Sequence, residues 1–133
     1  MAMNLGIKRQ TYAPSENQEW LGSSHGTQSM DSITLDADAC LAVFPTGLVP
    51  SGIKLGKITA TGLYAPALTA SADGSQTPVG HLFTTVDLTA GGAVPAAGND
   101  TPASLLWHGE VVSAKVPVVA GAAAAAAPNF RYV

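Results

Sequence analysis

With 133 residues, a formal net charge of −3 and only 11% charged side chains, the chain is long enough for one domain and too short for two. Its six Lys and Arg residues are scattered, which argues against nucleic-acid binding, because that draws its affinity from clustered basic groups neutralising phosphates. A single cysteine, Cys40, excludes an internal disulfide. No stretch approaches the ~20 apolar residues of a membrane span, and the N-terminus lacks the apolar run of a signal peptide.

Residues 1–31 read as an extended polar arm. Within it, Ala13–Gly22 carries a short helix signature, with Ser15 as cap, Gln18 reaching back to it, and Gly22 ending the turn in a left-handed conformation. One or two turns are marginal alone in water, so Trp20 and Leu21 need a cover, either the protein's own body or a partner. From Ser32 to Val43, Ile33, Leu35, Ala37, Ala39, Leu41 and Val43 alternate with Thr34, Asp36, Asp38, Cys40 and Ala42. This predicts a half-buried strand with Asp36 and Asp38 on its outward face.

Pro45-Thr46-Gly47 and Pro50-Ser51-Gly52 are turn signals. Ile53–Ala60 is the next predicted strand; its apolar phase slips after Leu55, and Gly56 at the slip marks a candidate bulge. A short strand at Gly62–Pro66, a tight turn at Asp73-Gly74 and a strand at Val79–Leu88 follow. Gly91–Pro102 reads as a loop. Leu105–His108 and Glu110–Val116 make a strand pair or one strand bent at Gly109. Ala122–Ala127 has high helix propensity but is too short for an isolated helix. Five to seven short strands without a long amphipathic helix imply an all-β, barrel-like or sandwich-like body of residues 32–120, followed by an Ala-rich C-terminal tail, 121–133.

Groups suited to chemistry are sparse. Asp36 and Asp38 are most simply a solvated pair, since glycosidase carboxylates face each other across the scissile bond. His25, His81 and His108 lack metal-type spacing to one another or to Cys40, although His81 and His108 both fall in predicted strands and are able to meet. Cys40 reads as a small packing residue rather than a nucleophile. There is no Gly-x-Ser-x-Gly elbow and no phosphate-binding glycine loop. The expectation is a protein that is not an enzyme and holds no cofactor or metal.

The segments Tyr12-Ala13-Pro14-Ser15, Trp20 to Thr27 (WLGSSHGT), Ser32–Asp36, Ile53–Thr59, Gly62–Pro66, Pro78–Leu82 and His108–Val112 resemble, in matching order, the family of the phage lambda head decoration protein. The resemblance spans about residues 12–116; the Ala-rich end and Gly91–Asn99 depart from it. It implies a compact body of the β-clip kind, 32–120, that forms homotrimers on the outer surface of the expanded capsid, at three-fold and quasi-three-fold positions. These trimers would stabilise the capsid against internal DNA pressure. The implied partners are the major capsid protein of the same phage and further copies of this chain, without nucleic acid or membrane, and the implied site of synthesis is the host cytoplasm. The arm, 1–31, would order on the capsid surface by strand addition, with Ile7, Tyr12, Trp20 and Leu21 as candidate anchors. The alternative is a virion-surface carbohydrate- or host-binding β module using Tyr64, Trp107 and Trp20 as stacking residues. The tail residues Phe130-Arg131-Tyr132 are left with three possible surroundings: a neighbouring copy, the capsid or solvent.

Overall fold

A computed structural model describes residues 17–88 and 100–133. In chain order the elements are β1 (Asp31–Leu35), α1 (Ala37–Val43), β2 (Leu48–Val49), β3 (Lys54–Lys57), β4 (Tyr64–Pro66), β5 (Pro78–Leu82), β6 (Val86–Asp87), β7 (Thr101–Leu106), β8 (Gly109–Val111) and β9 (Phe130–Tyr132), with a 3-10 turn at Ser113–Lys115 ahead of β9. The expected all-β, barrel-like body is there: β1, β4, β3, β5 and β7 close into a barrel in that order. All its pairings are antiparallel except the closure of β1 on β4, a parallel contact at Leu35 and Tyr64. Ile33, Leu35, Ile53, Leu55, Leu82 and Leu105 fill the interior, joined by Cys40, Val49 and Leu88.

The bulge expected at Gly56 is present, since the pairing of β3 with β5 shifts between Leu55 and Gly56. A side chain here would run into the main chain of Ser75, so the close approach of two backbones requires glycine.

Four sequence expectations are corrected. The strand predicted over 32–43 ends at Leu35, and α1 follows. Asp36 caps it, its Oδ1 accepting from the Ala39 amide at 3.2 Å, while Asp100 Oδ1 accepts from the Ala37 amide at 3.2 Å. Two carboxyl groups thus take up N–H groups that a helix start leaves without partners. Alanine serves a helix well, and the burial of Ala37 and Cys40, three residues apart, follows helical spacing. Asp36 and Asp38 therefore do not share a strand face.

Val79–Leu88 is two strands, and the second, β6, pairs with β2 outside the barrel. The two segments around Gly109 neither pair nor form one bent strand; β8 instead pairs in parallel with β9. Residues 17–22 form a turn rather than a helix within their described part, with the Leu21 amide donating to the Gln18 carbonyl at 3.0 Å. Gly22 keeps an ordinary negative φ.

The alanine tract is a strap across the barrel. The Ala123 amide donates to the Ala67 carbonyl at 2.9 Å, and Lys54 Nζ donates to the carbonyls of Ala123 and Ala125 at 3.3 and 2.9 Å. Small side chains let this backbone lie close to the barrel wall, where Ala123 and Ala127 are buried. The helix is forgone because its carbonyls have partners elsewhere.

Candidate functional site

β5 and β7 pair with Leu82 opposite Leu105 and His81 opposite Leu106. Side chains alternate across a strand, so Leu82 and Leu105 enter the barrel interior while His81 and Leu106 emerge on its outer wall. Trp20, Val111, Phe130 and Tyr132 cover them there and form a second apolar cluster.

Trp20 is only 1% exposed. Its Nε1–H donates to Ser51 Oγ at 3.2 Å, and that hydroxyl donates to the Asn17 carbonyl at 2.8 Å. The indole stacks on the His81 ring at 5.8 Å with an interplanar angle of 20°. Its seat is Gly52, at φ +92°, where a Cβ would stand 2.7 Å from the indole. The main chain around Trp20 also behaves as a strand beside β8. Leu21 bridges Val111 in antiparallel fashion, the Gly22 amide donates to the Glu110 carbonyl at 2.9 Å, and the Val112 amide donates to the Trp20 carbonyl at 2.7 Å. Gln18 Nε2 donates to the Phe83 carbonyl at 3.0 Å. Glu19 and Lys115 make a 3.7 Å ion pair, well exposed on both sides, which contributes little.

Of the four candidate anchors, Trp20 is thus enclosed by the protein's own body and Leu21 is half-buried against the same cluster. Ile7 and Tyr12 lie outside the described residues. Within the segment predicted as an arm, Trp20, Leu21 and Met30 pack on the outer cluster, and residues 22–25 are exposed.

The C-terminal tail likewise meets its own barrel. Phe130 sets its ring edge-on to His81 at 4.9 Å. Tyr132 Oη lies 2.9 Å from His81 Nε2, and the Ala127 amide donates to that same hydroxyl at 3.1 Å. His81 Nδ1 lies 2.7 Å from the Gly52 carbonyl. A carbonyl only accepts, so Nδ1 carries the hydrogen and Nε2 accepts from the tyrosine hydroxyl. The ring is fully buried, and this burial pushes its pKa down from 6.5 to about 4, assisted by the nearby Lys54 charge and opposed by the Gly52 hydrogen bond. Burial also raises Tyr132.

The groups suited to chemistry are kept apart. Cys40 is enclosed in the barrel core, and burial together with the charges of Asp36 and Asp100 pushes its thiol up to about 12, far from a reactive thiolate. His81 and His108 do not meet; His108 faces His25 at 5.3 Å and Trp107 at 4.0 Å. Among the described residues no group of three or more potential ligands is placed to hold a metal ion. Trp107 is 38% exposed, with its Nε1–H donating to the Ser29 carbonyl, but Trp20 is interior and Tyr64 packs on the barrel core. The three do not form an exposed aromatic row.

Beside the alanine strap, a groove of about 290 Å³ is lined by Pro66, Ala67, Val116, Val119 and Ala122, with Lys54 at its polar side. Val118 on its rim is 98% exposed.

The site is thus a small closed barrel whose outer wall holds residues 17–22 on one side and β9 with the alanine strap on the other. The model of the bacteriophage lambda head decoration protein D family matches residues 10–128 of the chain, and the chain belongs to that family. It is a phage head decoration protein by family and so a virion capsid component, within a structural family. Comparison with curated proteins and with solved structures gave no match.

Proposed function

We propose that the protein binds the outer surface of the expanded phage capsid as homotrimers at three-fold and quasi-three-fold positions and stabilises it against internal DNA pressure, with the major capsid protein of the same phage as its partner. The family match over residues 10–128 carries this reading. The apolar groove with Val118 fully exposed on its rim supports self-association, since exposed apolar patches commonly mark interaction surfaces. A trimer multiplies weak contacts, because one bound arm raises the effective concentration of the other two.

The capsid-binding arm then divides at its root. Residues 1–16 engage the capsid, with Ile7 and Tyr12 as anchors and Leu21 at the base, while Trp20 fastens the base to the body. The informative deletion is therefore 1–16, because removing 1–31 also takes Trp20 and the start of β1. The shortened protein is expected to fall at least tenfold in affinity for expanded capsids in co-sedimentation, with its thermal midpoint unchanged within about 2 °C (about 0.5 kcal/mol). Full capsid occupancy without residues 1–16 would refute the role given to the arm.

A further inference from the structure

The two flanking segments of this chain converge on one side chain. Trp20 from the N-terminal segment stacks on the His81 ring, Tyr132 and Phe130 from β9 close over it, and Ala127 in the strap completes the hydrogen-bond chain through the Tyr132 hydroxyl. We propose that His81 is a proton-sensitive clasp: its neutral ring fastens residues 17–22 and strand β9 to the barrel as one unit, and its protonation loosens both together while the barrel stays closed. The proposal concerns the free protein and does not depend on capsid binding.

Hydrogen-bond direction carries the argument. With Nδ1–H committed to the Gly52 carbonyl, Nε2 is where an added proton must go. That proton converts the acceptor of the Tyr132 hydroxyl into a second donor aimed at the same oxygen, and the hydroxyl hydrogen loses its partner. The new cation would lie among Trp20, Leu106, Val111 and Phe130. Lys54 approaches from β3 as a like charge, Tyr132 is the titratable neighbour on β9, and Glu110 and Arg131 hold the alternate positions of β8 and β9 and so face away. Burying a charge without a counter-charge is costly. Opening the layer hydrates it, and the barrel is unaffected because its β5–β7 pairing uses the main chain of His81 and the side chain of Leu82.

Hydrogen exchange tests this in the full chain. In Trp107→Phe protein, Trp20 is the sole indole, and its Nε1–H and the Val112 amide report the N-terminal segment. The Val133 amide, which donates to the Val111 carbonyl, reports β9, and the Leu82 amide, which donates to the Ile53 carbonyl, reports the barrel. After correction for intrinsic rates, the opening constants of both ends should rise about tenfold per pH unit below 6.5 and level off near 4, a total of about 300-fold. Leu82 exchanges only when the barrel itself opens, which carries the same proton linkage, so its opening constant should stay well below those of both ends at every pH. His81→Asn, which keeps a donor toward Gly52 without titrating in this range, should flatten the profile. At pH 7, Tyr132→Ala should raise exchange at Trp20 as well as at Val133. A flat wild-type profile, different slopes at the two ends, an opening constant at Leu82 equal to theirs, or a Trp20 indifferent to Tyr132→Ala would each overturn the clasp. Should His81→Asn not fold, the wild-type profile and Tyr132→Ala decide.

Discussion

The inner and outer faces of the β5–β7 pair are built from different chemistry. Inside, Leu82 and Leu105 meet Ile33, Leu35, Ile53 and Leu55, where the requirement is volume and shape. Outside, His81 and Leu106 meet Trp20, Phe130 and Tyr132, and the arrangement depends on directed hydrogen bonds through Ser51, Gly52 and Ala127. Aliphatic interiors tolerate volume-conserving exchange, whereas a buried polar network is strong when complete and costly when one member is lost. The contrast teaches that the barrel holds itself together, while the outer layer decides whether the flanking segments belong to it.

Removing the largest outer side chain is the severest way to break that contrast. Trp20→Ala should cost about 3–5 kcal/mol, read from chemical denaturation, comparable to truncating an interior leucine.

Acid comes next and should separate the two faces. The folded pKa of His81 is held near 4 against 6.5 when unfolded, so the unfolded chain takes the proton first. Stability is complete above pH 6.5, falls by about 3 kcal/mol on the way to pH 4, and then levels off as far as this residue is concerned. The Asp73 carboxyl, held below its usual 3.8 by hydrogen bonds from Ser75, has the opposite ionisation but the same acid sensitivity, its contribution being lost only as pH falls through that lowered value. An interior variant such as Leu55→Ala should shift the whole stability–pH curve downward without changing its shape, and His81→Asn should remove the slope between 6.5 and 4.

Tyr132→Phe, which keeps the ring and deletes the hydroxyl between His81 and Ala127, should cost about 1–3 kcal/mol through the unpartnered Nε2, read from denaturant midpoints. The smallest effect sharpens the comparison by showing what does not hold the N-terminal segment: Glu19→Gln, which breaks the exposed pair with Lys115, should change stability by less than about 0.5 kcal/mol.

The barrel was legible because its strands announce themselves locally. Ile33 and Leu35 alternate with polar neighbours, the phase slip at Gly56 gives the bulge, and glycines at 47, 52 and 74 mark turns that adopt positive φ. Alanine hid the rest. In residues 37–43 the alternation of Ala37, Ala39, Leu41 and Val43 masked the helix preference of alanine, and the cap at Asp36 was the other local sign of α1. In 122–127, helix propensity lost to carbonyls captured by Lys54 and an amide captured by Ala67.

The outer layer was harder to read because it joins residues 20, 81, 106, 111, 130 and 132, and no local periodicity links such distant positions. Two signs were nevertheless available. Trp20 needed a cover, and the body was one of the two considered. Phe130 and Tyr132, two apart after Pro128, have the spacing of a short one-faced strand. Of the capsid-binding anchors, Ile7 and Tyr12 fall outside the described residues, and their role stays with the proposal above.

Lys54 has a practical consequence for anyone attaching dyes or cross-linkers by amine chemistry. An acyl label there removes the charge and leaves a single N–H where two alanine carbonyls are held, so the strap and the groove beside it would be disturbed by what looks like routine surface conjugation. Lys115, which points into solvent with only a weak acidic neighbour, offers a handle that leaves those attachments intact.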